Sequence, residues 1–429
     1  MEHLDSRRLP KEVHKWHSWA AFRDPPSEVQ IGCGVAKYGQ RFVWTSLHRT
    51  ASELAPLRLL GDAKMDAATR EVAGSGREVG AAVLASTAND GSACGACLAD
   101  ASAVPAWVDL ARVERGQRVF RRYLPHISIT LFYFSLVGGF SAAVITKVLL
   151  ATGYLASSPR LVLRRLLDTG LFLFDVVLDG PGTLRPGGRG FDACLEVRAL
   201  HASVRHRLKR RRWDEAAYGV PVNQEDMAVT LLAFSYNVLV GIEFLKGSRL
   251  DEADEEDYVH LWRYVGHLLG VDDAANPCLS YAHSKAALES IVVHILEPDD
   301  DSKRLAKSML AAPSGGKADG MEFATRAELC RVMIGDDLAD GLGLPRPPPS
   351  RRVGFVRLYL RVLGALLDGP LLGPAFEVAH GLQMRAVRWV HARCRRGAKR
   401  HAVQATVDEP AKTCPYVPGA GGAAALCPG

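Results

Sequence analysis

The chain has 429 residues, of which 48% are hydrophobic and 23% are charged, the composition of a globular protein with a large core. Its formal net charge of +6 is too small to indicate a nucleic-acid-binding protein. The nine cysteines are odd in number and irregularly spaced, which argues against a secreted disulfide scaffold and for a reducing compartment. The first residues lack the apolar run of a secretory signal, so we expect an intracellular protein, cytoplasmic or membrane-associated.

Residues 70–104 are rich in Gly, Ala, Ser and Asn, and this composition predicts a loop or a weakly ordered insert. The segment contains Cys94 and Cys97, the one CxxC spacing of the sequence. A zinc site needs a second pair or histidines at ligand spacing, and none is evident in the sequence. The loop interpretation is therefore favoured over a metal site.

The apolar segment 127–146 has two interpretations. It carries no charged side chain, and its length of about 20 residues fits a membrane span. The same length and composition fit a helix that is buried on all sides in a large core. Gly138, Gly139 and five Ser/Thr residues lower its hydrophobicity, which favours the core helix.

Most of the chain has helical periodicity, with Gly- and Pro-rich helix-stop signals between the periodic segments. Few stretches alternate with a period of two, so we expect no sheet. Residues 298–320 predict a solvent-exposed connection, and the acidic run 251–257 predicts a helix start that faces the basic end of the 197–213 helix. The predicted helices open at Pro105 and continue at 160–178, 192–213, 224–245, 252–270, 280–296, 325–341 and 351–368.

These elements predict an all-α fold, with many helices in a single domain. Asn223 to Asp226 predict the structural start of a helix, because acidic residues at this end interact favourably with the helix dipole. The predicted organisation is an N-terminal extension at 1–34, a helical region with a Gly/Ala/Ser-rich loop at 35–104, the main domain at 105–395 and a disordered tail at 396–429.

The stretch VRALHASVRHRLKRRRW, residues 197–213, predicts a basic helix with one apolar face. Successive residues of an α-helix are rotated by about 100° around the helix axis. The two valines and two leucines of this stretch therefore lie within an arc of about 80° on the helix surface. His201 lies at about 40°, at the edge of this face, and is predicted to point inward. His206 lies at about 180° and is predicted to point toward water.

An inward histidine must satisfy its ring nitrogens or carry a desolvation cost. One interpretation of His201 is a core residue that is hydrogen-bonded to a carbonyl or a carboxylate. The other is a ligand of a metal or of haem iron, which requires a neutral imidazole on an apolar wall. Spacing alone favours the core residue.

A longer pattern shifts this balance. Arg198-x-x-His201-x-x-x-Arg205-His206, followed by Trp213 and by YGVPVNQ at 218–224, resembles the core of the latex-clearing protein/rubber oxygenase family. That family also includes the fungal ER-bound oxygenase of mycophenolic acid biosynthesis. Further segments resemble the family in the same order, at 105–120, 135–155, 165–176, 257–271 and 329–345, with a weaker likeness at 54–68.

The resemblance implies a globin-like helical core around one haem b, and an oxygenase that cleaves carbon–carbon double bonds of isoprenoid chains with O₂. It assigns His201 to the position of the proximal iron ligand. Arg198, Arg205 and His206 match the rest of that motif, so the resemblance assigns them to cofactor binding.

On the distal side of the haem, Arg165 and Thr169 match the pocket motif of the family, and their spacing of four places them on one helix face. Asp168 departs from the family, because the bacterial rubber oxygenase has a lysine there. A carboxylate at this point could accept a proton or hold a water. The sequence also shows no clear equivalent of the pocket glutamate, so haem binding is better supported than rubber cleavage.

A haem also makes physical demands that this sequence can meet. Its propionates require cations, for which Arg198, Arg205 and Arg165 are candidates. The expected substrate is an apolar isoprenoid-like molecule or a lipid. The alternative is a non-catalytic haem- or lipid-binding helical protein, associated with a membrane such as the endoplasmic reticulum. The candidates for the apolar slot are Leu171, Phe172, Phe174, Val204 and Phe234.

Overall fold

The computed structural model describes residues 16–18, 29, 31–88, 90–152, 159–312 and 321–395. Predictions for the first 15 residues and for the tail 396–429 lie outside these residues. A small three-stranded sheet, which the sequence did not predict, precedes the helices. Its middle strand pairs in parallel with the first strand and antiparallel with the third. The rest of the described regular structure is helical, which confirms the all-α class. The strands are β1 (Trp16–Ser18), β2 (Gly34–Lys37) and β3 (Gln40–Val43).

The prediction of a loop over 70–104 is wrong, because much of this segment is helical. Ser92 caps one of the helices by accepting a hydrogen bond from the Gly95 backbone N–H. Cys94 and Cys97 lie buried on that helix, and burial raises the pKa of the Cys97 thiol to about 11. Small residues that resemble a flexible linker in composition thus permit close helix packing. The helices of this region are α1 (Ala51–Leu54), α2 (Ala63–Val72), α3 (Val79–Ala85) and α4 (Ala93–Ser102).

The apolar segment 127–146 does not form one continuous helix. Helix α6 runs into a stretch of π-helix, Thr130–Val137, and the chain then turns before α7. Its hydroxyl groups donate to backbone carbonyls: Ser135 to Ala233 at 2.6 Å and Thr146 to Phe140 at 3.0 Å. This is the pattern of a buried core segment, in which polar side chains are satisfied internally. The helices are α5 (Leu110–Arg122), α6 (Leu124–Ile129) and α7 (Ala143–Ala151).

Two long helices form the centre of the fold. Helix α8 (Pro159–Val177) packs against α9 (Arg189–Arg210), and a 3₁₀ turn, Pro181–Leu184, lies between them. Helix α9 also packs against α2, α3 and α13, so it is enclosed on several sides. The prediction of helices over 160–178 and 192–213 is therefore confirmed within a few residues.

The predicted helix 224–245 is divided at Ser235, whose backbone leaves the helical region and whose hydroxyl donates to Leu231 O at 2.9 Å. By length and composition, Gln224–Lys246 is apolar enough to cross a membrane, and 56% of its most apolar window is buried in the protein. The helices here are α10 (Glu215–Tyr218), α11 (Gln224–Phe234), α12 (Tyr236–Lys246) and α13 (Glu252–Leu268).

The sequence predicted that the acidic start of α13 faces the basic end of α9. The structure shows a different contact. Asp257 pairs with Arg112 of α5 at 2.7 Å and also with Arg115. Glu255 pairs with Arg249, six residues earlier in the chain. The charges therefore join α13 to α5, which packs along it.

The C-terminal part contains more helix than the sequence predicted. The expected connection 298–320 includes α15, which Asp299 caps, while 313–320 lie outside the described residues. The predicted helix 325–341 is two helices, separated at Gly335, which has a φ of 84°. Helix α19 was not predicted. The elements are α14 (Tyr281–His294), α15 (Asp300–Ala311), α16 (Phe323–Ile334), α17 (Asp336–Gly341), α18 (Arg351–Leu367) and α19 (Leu372–Arg395).

Candidate functional site

His201 on α9 has the inward orientation that the helical periodicity predicts. Its Nδ1 atom is buried and forms no hydrogen bond with any described residue. The residue as a whole is half-buried. Burial, and then the positive charges of Arg205 and Arg165, lower the pKa of His201 to about 4. The imidazole is therefore neutral at pH 7, the form that binds a metal.

The three candidate distal residues lie on α8, which packs against α9. Arg165, Asp168 and Thr169 are each half-buried. The Arg165 charge is close enough to His201 to contribute to the lowered pKa of the imidazole. Two motifs separated by 28 residues in sequence are thus brought to one region of the fold. Their catalytic roles stay predictions.

Arg198 forms a buried, bidentate ion pair with Asp62, the N-cap residue of α2. The guanidinium Nε lies 2.6 Å from one carboxylate oxygen, and a terminal nitrogen lies 3.0 Å from the other. Burial opposes ionisation of Asp62, but the hydrogen bonds and charge of Arg198 hold the pKa of this carboxyl below its usual value. The pair joins α2 to α9 three residues before His201.

Arg205 forms a second ion pair one helix turn after His201. Its Nε donates to Asp66 at 2.8 Å, and its Nη1 donates to Val222 O at 2.7 Å. Both arginines therefore pair with carboxylates of α2, one before and one after His201 in the sequence. These two ion pairs, Arg198–Asp62 and Arg205–Asp66, hold α9 against α2, and we call them the clamp. Contact of either arginine with a haem propionate stays a prediction.

Glycines lie directly against both ion pairs. A Cβ on Gly61 would lie 2.9 Å from an Asp66 oxygen, and one on Gly270, whose φ is +83°, would lie 2.4 Å from an Asp62 oxygen. Gln224 joins the two glycines, because its amide nitrogen donates to both carbonyls at 3.0 Å. The loops that carry these glycines are thus fixed against the clamp.

The prediction that residues 223–226 form the structural start of a helix is confirmed. Asn223 caps α11 by accepting from the Asp226 backbone N–H, and Asp226 accepts in return from the Asn223 N–H. Glu225 pairs with Arg58 at 2.6 Å. Burial, and then the charge of Glu225, raise the pKa of Asp226 to about 7.

This raised pKa makes the stability of the protein depend on pH. Between the ordinary pKa of 3.8 and about 7, the unfolded chain releases the Asp226 proton and the folded chain keeps it. The free energy of unfolding therefore falls as the pH rises through this window. Asp226→Asn is expected to lose less stability than the wild type between pH 5 and pH 8, as measured by urea denaturation. Asp300→Asn, on the exposed first turn of α15, is the control, and an unchanged pH profile in Asp226→Asn contradicts the assignment.

His206, which was predicted to point toward water, is half-buried. Burial, and then the charges of Arg210 and Arg70, lower the pKa of its imidazole. Its neighbours belong to α2 and α9, because α2 packs along this side of α9. No hydrogen bond of the His206 side chain is present among the described residues.

The candidate slot residues have different surroundings. Phe172 and Phe174 are half-buried beside the main core. Val204 packs with Leu208 and Trp213 in a smaller cluster. Phe234 stacks on the core residue Trp262, with ring centroids 5.4 Å apart, and this contact occupies one face of its ring. The sequence thus identified half-buried apolar residues, and their contact with a cofactor stays a prediction.

His201 is the one candidate metal ligand that the sequence analysis placed among the described residues of this site. No group of three His, Cys, Asp or Glu residues within the described ranges could hold a metal ion. Protein-only zinc sites use three or four such ligands, whereas haem iron needs one or two. A neutral, enclosed and unpaired imidazole fits the latter, so the residues present fit a haem.

The sequence reasoning missed Asp62 and Asp66, the carboxylates that clamp α9. The spacing of these acidic residues and of the two arginines in the sequence does contain a signal for the contact. Asp62 and Asp66 are four residues apart, and Arg198 and Arg205 are seven apart, so each pair shares one helix face. Two such faces of opposite charge predict a two-point contact between helices.

Comparison with known proteins agrees with this fold. The family model described as "ER-bound oxygenase mpaB/B′/Rubber oxygenase, catalytic domain" matches residues 126–365. A rubber oxygenase of Streptomyces sp. (strain K30) is 25% identical over 257 residues, which are 58% of this chain and 60% of that curated relative. The structure of the latex-clearing protein in the closed state matches with a TM-score of 0.56 and 21% identity, covering 77% of this chain and 91% of that one, which supports the shared fold.

Proposed function

Because the chain belongs to the family of ER-bound mpaB-type and rubber oxygenases, we propose that it is a haem b-dependent oxygenase that uses O₂ to cleave or oxidise an apolar isoprenoid-like or lipid substrate. The observation that carries this proposal is the enclosed, unpaired imidazole of His201 within the matched domain. A buried histidine with no partner carries a desolvation cost, which a ligand to its ring nitrogen offsets.

In this proposal each side chain has a distinct role. His201 would hold the iron, and a bound haem would supply the chemistry that activates O₂. Arg198 and Arg205 act through their ion pairs with Asp62 and Asp66, which fix the position of the helix that carries His201. These arginines are therefore positioning residues.

The α8 residues supply polar groups in a largely apolar region. Arg165 provides a positive charge near His201, which suits the orientation of a negatively charged or polarised group. Asp168 would accept a proton or hold a water, and Thr169 provides a hydroxyl that donates or accepts. The half-buried position of all three is compatible with contact to a substrate.

The test is an absorption spectrum followed by an oxygen assay. The protein, expressed with a haem precursor, is expected to show a Soret band that shifts on reduction and on addition of CO. It is also expected to consume O₂ with polyisoprene, farnesyl lipids or carotenoids. Absence of the Soret band would overturn the haem assignment.

A second candidate function is non-catalytic binding of haem or a lipid. The observation that favours it is Asp168 at the position where the resemblance places a lysine. A normal Soret band without oxygen consumption on any of the apolar substrates would support this candidate. Turnover of any one of them eliminates it.

A further inference from the structure

Helices α18 and α19 form a hairpin at the end of the described chain, which we call the C-terminal hairpin (351–395). The chain bends by 112° between the two helices. Helix α18 packs on α12 and α16, and α19 packs on α5 and α8. The hairpin is thus attached to the core along one side.

The outer side of the hairpin is also apolar. On α18 the exposed residues follow spacings of three, four and seven, and they share one stripe of the helix. Leu371 at the bend is 84% exposed, Phe355 is 69% exposed and Trp389 is 60% exposed. The stripe on α18 consists of Phe355, Leu358, Tyr359, Val362 and Leu366, and that on α19 of Val378, Leu382, Trp389 and Val390.

A helix that packs on a soluble core needs one apolar face, and α18 has two. Its inner face buries Leu360, Leu363 and Leu367 against the core. The outer stripe is centred about 120° around the helix from this inner face, and its side chains are exposed. Exposed apolar residues concentrated on both helices of the hairpin indicate a binding partner.

The hairpin is strongly basic. Residues 351–395 contain eight arginines against two acidic residues, Asp368 and Glu377, so their net charge of +6 equals that of the whole chain. Some of these arginines pair with the core, as Arg388 does with Asp175 at 3.2 Å. Others form no ion pair with any residue that the structure describes, namely Arg351, Arg352, Arg357, Arg361 and Arg393.

We propose that the C-terminal hairpin docks on the surface of a lipid bilayer that contains anionic lipids. Its outer stripe would enter the interface between headgroups and acyl chains, and the unpaired arginines would contact the headgroups. Tyr359 and Trp389 suit this interface, because aromatic rings with a polar atom concentrate there. The two helices lie on the membrane and do not cross it.

The charge distinguishes a membrane from a second copy of the chain. A two-fold symmetric dimer through this face would bring together two surfaces that each expose the five arginines without an ion pair. Like charges at an interface oppose association. An anionic membrane matches both the apolar stripe and the positive charge.

An apolar cleft adjoins the outer stripe. It has a volume of about 430 Å³ between α16 and α18, and Arg351 and Arg352 lie at its edge. Phe355 belongs to both the cleft and the stripe, and Leu329 lies in its buried wall. An apolar chain that carries an anionic group at one end fits this combination of surfaces.

Membrane docking is tested by sedimentation of the holoprotein with vesicles, without measurement of turnover. The protein is expected to bind vesicles of phosphatidylcholine and phosphatidylserine at least tenfold more tightly than vesicles of phosphatidylcholine alone. Arg351→Gln with Arg352→Gln and Arg357→Gln should weaken binding on the order of fivefold for each arginine near the surface. Arg41, Arg77 and Arg185, exposed and outside the hairpin, are changed to Gln in the matched control.

A second variant tests the apolar stripe. Phe355→Ser with Leu358→Ser and Trp389→Ser should lower vesicle binding at least tenfold, at an unchanged melting temperature. In the control, three exposed apolar residues elsewhere are changed to serine, and binding should not change. These residues are Ile31, Val104 and Leu279.

Three outcomes would overturn the proposal. The first is a full-length protein that binds neither kind of vesicle. The second is a dimer in analytical ultracentrifugation that the serine variant dissociates, because a second copy then covers the stripe. The third is protein that stays in the membrane pellet after alkaline carbonate extraction, because it is then inserted and not docked.

Discussion

His201→Ala is expected to abolish haem binding and to leave the fold intact. The side chain is the enclosed, unpaired imidazole at the centre of the candidate site, and its lowered pKa of about 4 keeps it neutral at physiological pH. The variant would remove the imidazole that is proposed to hold the haem iron. We expect the ratio of Soret to protein absorbance to fall at least tenfold in protein expressed with a haem precursor.

The control is His283→Ala on α14, a histidine outside the segment that the resemblance assigns to cofactor binding. Its imidazole is half-buried and forms a hydrogen bond with Ser280 at 2.8 Å. This variant is expected to keep its haem. The variant His201→Gly should regain a Soret band when imidazole is added, because the free base then occupies the vacated position. Full haem content in His201→Ala contradicts the assignment.

Local periodicity was sufficient to predict the helices that carry the site. The α8 and α9 segments each have an apolar face at helical spacing, and this pattern fixed both the helices and the inward side of His201. The capped start of α11 was also predicted, because Asn223 and Asp226 have the spacing of a capping box. These features depend on residues within a few positions of each other.

Features that depend on distant residues were not predicted. The partner of Arg198 is Asp62, 136 residues away, and a single sequence does not show this pairing. Helices α3 and α4 were mistaken for a loop, because Gly, Ala and Ser are common both in linkers and at close helix contacts. Helix α19 was missed because exposed apolar residues such as Leu382 and Trp389 interrupt the alternation of an apolar and a polar face that marks an ordinary surface helix.

Asp62→Ala is expected to destabilise the protein by about 3–5 kcal/mol, because it leaves the Arg198 guanidinium buried without its partner. Arg198 is 5% exposed and Asp62 is 6% exposed, so water does not replace the lost contact. The variant also removes the side-chain cap of α2, which contributes about 1 kcal/mol by itself. Urea denaturation of the haem-free protein measures the effect separately from cofactor binding.

A double-mutant cycle separates the ion pair from the cap. Asp62→Ala with Arg198→Met removes both charges, and it should recover a large part of the stability that Asp62→Ala loses, since no buried charge is then unpaired. Asp100→Ala is the control: its carboxylate lies 3.7 Å from Arg198 and is partly exposed, so its removal should cost less than about 1 kcal/mol. If Asp62→Ala and Asp100→Ala cost the same, the clamp does not stabilise α9 in the way that its geometry indicates. If the stability losses of Asp62→Ala and Arg198→Met simply add in the double variant, the two side chains are not coupled. The effect of Asp62 then lies in the helix cap, and Arg198 positions His201 by packing alone.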